Sequence, residues 1–216
     1  MDARTAARVG GWSAIVAGVT GALGATLLLA VPPGAPIDHF NYPLSPMWFV
    51  VVQAVFSVHH LLLAFVFWAF GRAGLAGRGA LSAVGVWSTV TLFASFGVWE
   101  VLALSGIGRP YPSDELAWLD VGYGTLSLLL GVALILLGIA AVRARVFSGW
   151  ARWATLATGV YVFVPMLPGL AAGFVAGRVV LGVWLLLFAL LGWGMLRWSA
   201  DSEPRPAFAA AAGAAT

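Results

Sequence analysis

The sequence predicts an all-α fold, a polytopic membrane helix bundle with six transmembrane helices and both termini cytoplasmic. Three observations predict it. Six long apolar stretches fill the 216 residues. Hydrophobic residues make up 62% and charged residues 9%; a chain so short of charge cannot cover itself with polar surface, so its expected solvent is lipid. Finally, the basic residues are all arginine, and they fall almost entirely in every second gap between the stretches. The apolar runs are continuous, which excludes a closed β-barrel with its short alternating segments.

A bilayer core about 30 Å thick is crossed by about 20 apolar residues of helix. On that basis the spans are expected over 10–31, 47–70, 80–105, 117–142, 153–172 and 178–197. The first carries Ala17, Gly21 and Ala25, a row of small residues on one face that suits close helix packing. Its apolar run exceeds a typical signal h-region, and Val31-Pro32-Pro33 stands where a small-residue cleavage site belongs. It is therefore read as a retained helix. The loop from Pro32 to Pro46 holds five prolines and reads as a stiff cap on the bundle. The second span has His59 and His60 near its middle. The third carries Glu100 about eight residues beyond its centre, hence about 12 Å toward the outside. The fourth has Asp120 in its first turn. Pro165 and Pro168 remove backbone donors from the fifth, which predicts a bent or broken outer half and an outer turn from Gly169 to Gly177. The sixth is expected to begin at Arg178. Residues 1–200 are read as one six-helix transmembrane domain and 201–216 as a disordered cytoplasmic tail.

Orientation follows from arginine. Arg4, Arg8, Arg72, Arg78, Arg143, Arg145, Arg152, Arg197 and Arg205 share one side if the helices alternate, and only Arg109 and Arg178 fall on the other. The arginine-rich side is cytoplasmic by the positive-inside rule, and the protein is expected to be a multi-pass protein of the cell membrane. Trp48 and Trp118 mark outer helix ends; Trp12, Trp68, Trp150, Trp153 and Trp198 mark inner ones. Trp87 and Trp184 lie deeper and read as interior. The net charge of +3 is spread in ones and twos without a basic stripe, so no nucleic acid is expected. The absence of cysteine excludes thiol redox chemistry and iron–sulfur ligation.

Few ionisable groups lie within or against the spans, and charge there is costly enough that each is a candidate for function. His59 and His60 are adjacent and point about 100° apart, so they cannot grip one metal ion together. The only other histidine, His39, lies in the outer loop. Neither a metal nor a haem is expected, nor any other cofactor. The pair reads as core histidines with partners, and Gln53 lies about two turns before His60 on a nearby face. Glu100, Asp120 and Arg178 share the outer level and are expected to form a polar cluster there. The expected ligand-binding set is His59, His60, Glu100, Tyr123, Tyr161 and Arg178.

Two segments carry a resemblance. Phe96-Gly97-Val98-Trp99-Glu100 resembles the Trp-Glu segment of the small membrane-bound terpene cyclases of meroterpenoid pathways. Asp120-Val121-Gly122-Tyr123-Gly124 resembles their later Asp-x-x-Tyr-Gly segment. In that family the two lie on widely separated helices, whereas here they are twenty residues apart. The resemblance implies Glu100 and Asp120 as acids that start and steer a carbocation cascade.

Two functional classes stand against each other. The leading one is a non-catalytic membrane protein that binds or transports a lipid or small molecule, or serves as a subunit of a membrane assembly. Its partners would be membrane lipids, an apolar or isoprenoid small molecule, or a partner membrane subunit. The alternative is a membrane-embedded enzyme acting on a lipid or isoprenoid, with Glu100 and Asp120 as acid and base.

Overall fold

The computed structural model describes residues 1–201, and within them the chain is helical without strands. Seven α-helices appear: α1 Ala3–Leu27, α2 Pro46–Arg72, α3 Ala80–Leu102, α4 Ala117–Ala144, α5 Ala154–Tyr161, α6 Leu167–Ala171 and α7 Phe174–Asp201. A 3₁₀ turn, Ala103–Gly106, prolongs α3, and another, Asp114–Leu116, leads into α4. The fifth apolar stretch is composite: a 3₁₀ turn Gly149–Trp153, then α5, a π segment Val162–Met166, and α6. Together these make six helices long and apolar enough to cross a membrane.

Several boundaries differ from expectation, each for a local reason. Asp2 accepts from the Thr5 backbone N–H and hydroxyl, both at 2.9 Å, and this cap starts α1 seven residues early. Pro165 lies inside the π segment: its ring and missing N–H disrupt the α ladder, and the wider turn absorbs the misfit. The chain does not stay irregular from Gly169 to Gly177. Only Ala172 and Gly173 separate α6 from α7, with Gly173 turning at φ 109°, a left-handed value that favours glycine. Arg178 therefore sits one turn inside α7 rather than at its start. Asp201, expected in the tail, lies in α7, and the rest of the expected tail, 202–216, lies outside the described residues.

The helices form a closed ring in chain order: α1 against α2, α2 against α3, α3 against α4, α4 against α5, and α7 back against α1. Short connections make neighbours in sequence neighbours in space. Helices as apolar as these, were they to stand in lipid, would gain no hydrophobic energy from each other, and close van der Waals contact would have to hold them. The α1–α7 seam shows how. A Cβ added to Gly18 would lie 2.6 Å from the Ala189 nitrogen and 2.7 Å from the Leu185 carbonyl, so only glycine permits this backbone approach.

The ring is filled toward its middle by aromatic side chains. Phe67 of α2 stacks on Phe93 of α3 at 5.6 Å, and Phe188 of α7 meets both rings edge-on at 6.0 and 5.7 Å. Trp184 joins them and donates its indole N–H to the Thr158 carbonyl at 3.0 Å, tying α7 to α5. Its counterpart Trp87 is 59% exposed and faces outward, contrary to its expected interior place. At the arginine-poor end a second apolar cluster of Leu28, Leu44 and Phe49 packs with Phe40, Leu104 and Phe174. The proline-rich loop covers it. Asn41 donates to the Leu44 carbonyl at 2.6 Å and accepts from the Gly108 N–H at 2.9 Å, and Tyr111 N–H reaches Asp38 O at 2.7 Å. These bonds fasten the loop to the α3–α4 connection.

Candidate functional site

Between the aromatic filling and the apolar cap lies one group of polar side chains. Glu100 stands at its centre on α3, 5% exposed. Its Oε2 accepts two hydrogen bonds, one from Gln53 Nε2 on α2 and one from the Tyr123 hydroxyl on α4, each 2.8 Å. The same Gln53 amide donates to the Glu100 backbone carbonyl at 3.3 Å, where α3 tightens into its 3₁₀ turn and loses its regular ladder. One turn deeper, the Ser57 hydroxyl donates to the Gly97 carbonyl at 2.7 Å. Gln53 and Ser57 are i and i+4 on α2, so one face of that helix grips α3 twice.

Oε1 of the same carboxyl accepts no hydrogen bond among the described residues. It faces His60 Nδ1 at 3.6 Å, beyond hydrogen-bond length. His60 Nδ1 lies 2.8 Å from the Phe56 carbonyl, and a carbonyl only accepts, so Nδ1 carries a hydrogen and donates it there. The imidazole is clamped flat against Phe96, centroids 5.2 Å apart. His59 turns the other way and donates from Nε2 to the Ala17 carbonyl of α1 at 2.9 Å. Gly21 leaves room for that ring, because a Cβ there would come 2.7 Å from His59 Nε2. The two histidines thus face different helices, and among the described residues no three of His, Cys, Asp and Glu gather as metal ligands.

The Trp99-Glu100 and Gly122-Tyr123 segments pack face to face. Trp99 donates its indole N–H to the Leu119 carbonyl at 3.2 Å, and its ring lies over Gly122, where a Cβ would run into the indole. The indole's position one residue before Glu100 and the glycine's position one residue before Tyr123 bring the carboxyl and the phenol together.

Asp120 does not join this group. It is exposed and accepts from the Tyr111 hydroxyl at 3.1 Å in the α3–α4 connection. Burial first, and then the charge of Asp120, push the Tyr111 phenol above its ordinary range. Arg178 lies at the same end of the bundle with its guanidinium over the Phe174 ring at 5.1 Å. It makes no ion pair with Glu100, although the two interact through space. Of the expected three-charge cluster, then, Asp120 goes to Tyr111 and Arg178 stays at a distance. Tyr161 packs half-buried against the core just before the π segment and makes no hydrogen bond among the described residues. Gln53, expected near His60, belongs to Glu100 instead; its signal was being the lone amide in an apolar helix half.

No protein-family model matches the chain, and no significant match exists among curated proteins or solved structures. What the fold and site define is a class: an all-helical bundle of six membrane-capable helices with one buried carboxyl held from two neighbouring helices.

Proposed function

We propose that this chain is a multi-pass protein of the cell membrane, with six transmembrane helices and both termini cytoplasmic, that binds and carries a small apolar molecule. The molecule is a lipid or isoprenoid in class, and the carboxyl of Glu100 is the working group. The partners are membrane lipids and that ligand. One observation carries the reading: the buried Glu100 carboxyl spends one oxygen on two donors and leaves the other without a hydrogen bond among the described residues. A group serving only to tie helices would be as well served by an amide, without the cost of burying an ionisable acid. The open oxygen is where a ligand hydroxyl, or a proton, can be taken up.

A second reading, an enzyme acting on an isoprenoid, is favoured by one contact set. The two segments resembling terpene cyclases meet at Trp99–Gly122 and Glu100–Tyr123. Glu100 would then be the acid with Tyr123 beside it, since Asp120 is exposed and engaged by Tyr111.

Replacing Glu100 with Gln separates these readings from a structural role. In native membrane extracts, mass spectrometry of the intact protein is expected to find a bound apolar ligand in the wild type and not in Glu100→Gln, with thermal midpoints within about 2 °C, a shift of about 0.5–1 kcal/mol at most for a chain of this size. A ligand that is turned over by the wild type selects the enzyme. If Glu100→Gln alters neither ligand nor stability, the site is wrong and the chain is better read as a subunit of a membrane assembly.

A further inference from the structure

On α1, Arg8, Val9, Trp12, Ser13 and Val16 fall at i, i+1, i+4, i+5 and i+8, so they stack on one side of the helix. With Leu62 of α2 they line a groove of about 420 Å³ between the two helices. Trp12 and Val16 stand out at its edge, 57% and 50% exposed. From Arg8 to Val16 the groove follows the helix axis for about 12 Å, close to the depth of one leaflet in a hydrocarbon core about 30 Å thick. Just past Val16 the two helices are tied, where His59 of α2 donates to the Ala17 carbonyl of α1 at 2.9 Å.

The groove grades from polar to apolar along its length. Arg8 brings a guanidinium with five N–H donors in a planar fork to its mouth. Trp12 and Ser13 add an indole N–H and a hydroxyl, and neither has a hydrogen-bond partner among the described residues. Val16 and Leu62 at the deep end are apolar, and none of the lining residues is acidic. Arg4 is exposed one turn before Arg8, and Arg72 of α2 reaches the Met1 carbonyl at 3.5 Å, so two further cations stand at the same end. Asp2, the acid at the start of α1, has both carboxylate oxygens taken by the Thr5 N–H and hydroxyl.

We infer that this groove seats one anionic phospholipid from the leaflet at the arginine-rich end, with its phosphate on Arg8 and one acyl chain along Val16 and Leu62. The mouth offers donors, and a phosphodiester with its neighbouring ester carbonyls offers the acceptors that match them. A choline headgroup would set its ammonium beside Arg4 and Arg72, whereas a glycerol headgroup brings no positive charge there. A basic side chain at an anionic membrane surface is worth about fivefold in affinity. An indole at the mouth suits the level of the headgroups. The inference rests on the reading of the chain as a membrane protein and not on Glu100, which lies on α3 toward the arginine-poor end.

The test takes the full chain from the membrane fraction into detergent, titrates it with dioleoyl phosphatidylglycerol or dioleoyl phosphatidylcholine, and weighs the intact complexes by native mass spectrometry. One phosphatidylglycerol should bind first, about fivefold or more tighter than phosphatidylcholine, and glycerol 3-phosphate should not displace it. Arg8→Gln should abolish that preference and Arg8→Lys keep part of it, while Arg143→Gln, at the same end on α4, should leave it in place. Val16→Trp adds a ring at the half-exposed deep end and alters no charge, and it should displace the lipid as fully as Arg8→Gln. Equal binding of the two lipids, or equal loss in Arg8→Gln and Arg143→Gln, reduces the effect to general surface charge and overturns the site. Unchanged binding in Val16→Trp overturns the seated chain, and displacement by glycerol 3-phosphate overturns the lipid as the ligand. In Glu100→Gln the phosphatidylglycerol adduct, known by its mass, should persist; its disappearance would move the lipid to Glu100 and overturn the groove. A chain missing from the membrane fraction fails the membrane reading itself, whereas one recovered there without a preferred lipid fails this site alone.

Discussion

At the scale of single residues, the surroundings of Glu100 are built by groups that have little other purpose. Tyr123 lies beside Trp99 and Phe96, with ring centroids 6.5 and 6.3 Å away, yet its hydroxyl reaches past both to the carboxyl. Removing that hydroxyl in Tyr123→Phe keeps the ring packing and deletes one of two donors to Oε2. Hydrogen bonds to charged acceptors run to about 1.5–3 kcal/mol in water-soluble proteins, whereas interhelical bonds in lipid average about 0.6. The lower figure governs if Glu100 carries its proton, and the higher if it is ionised. The size of the loss therefore reports the charge state. Unfolding in mixed micelles is expected to show a loss of about 1 kcal/mol or more for Tyr123→Phe, shrinking to a few tenths in a Glu100→Gln background. Equal losses in both backgrounds would mean that the phenol bonds a neutral group.

At the scale of elements, the seam between α3 and α4 is made by an indole laid on a glycine. Gly122→Ala puts a methyl group into the Trp99 ring, so the ring must swing away and its bond to the Leu119 carbonyl must break. Overpacking of this kind costs about 1–3 kcal/mol. Gly124 lies two residues on, and a methyl group there would meet nothing within 4 Å. Gly124→Ala should therefore be neutral or slightly stabilising through helix propensity. Thermal midpoints together with tryptophan emission give the comparison, and a Gly122→Ala protein as stable as Gly124→Ala would contradict this packing. The seam was only half legible in the sequence. The apolar lengths located every helix, and Pro165 announced the break in the fifth. Which face of each helix looks inward was hidden, because helices this apolar show no amphipathic stripe to orient them. That is why Trp87 read as interior and Gln53 as a neighbour of His60. The ends shifted for a different reason, since a single cap at Asp2 or a single turn at Gly173 outweighs the hydropathy of several residues.

At the scale of the whole molecule, the ring in chain order places the two kinds of loop at opposite ends. Arg72, Arg78, Arg143, Arg145 and Arg152 belong to the connections and helix ends at one end, and Arg109 to the other. The proposed topology turns this segregation into sidedness, because short loops rich in arginine are retained in the cytoplasm. The absence of cysteine makes the proposal directly measurable, since any thiol introduced is the only one in the chain. Ser148 is exposed in the α4–α5 connection, and Asp114 is exposed in the α3–α4 connection at the opposite end. In intact cells, a membrane-impermeant maleimide is expected to label Asp114→Cys and to spare Ser148→Cys until the membrane is opened. The reverse pattern would invert the molecule. It would also place Glu100 near the cytoplasmic leaflet, so that its proposed ligand would have to come from inside. Labelling of both sites in sealed cells would put the two connections on one side of the membrane. That outcome would overturn the topology, because α4 alone joins them and a single spanning helix must leave its ends on opposite sides.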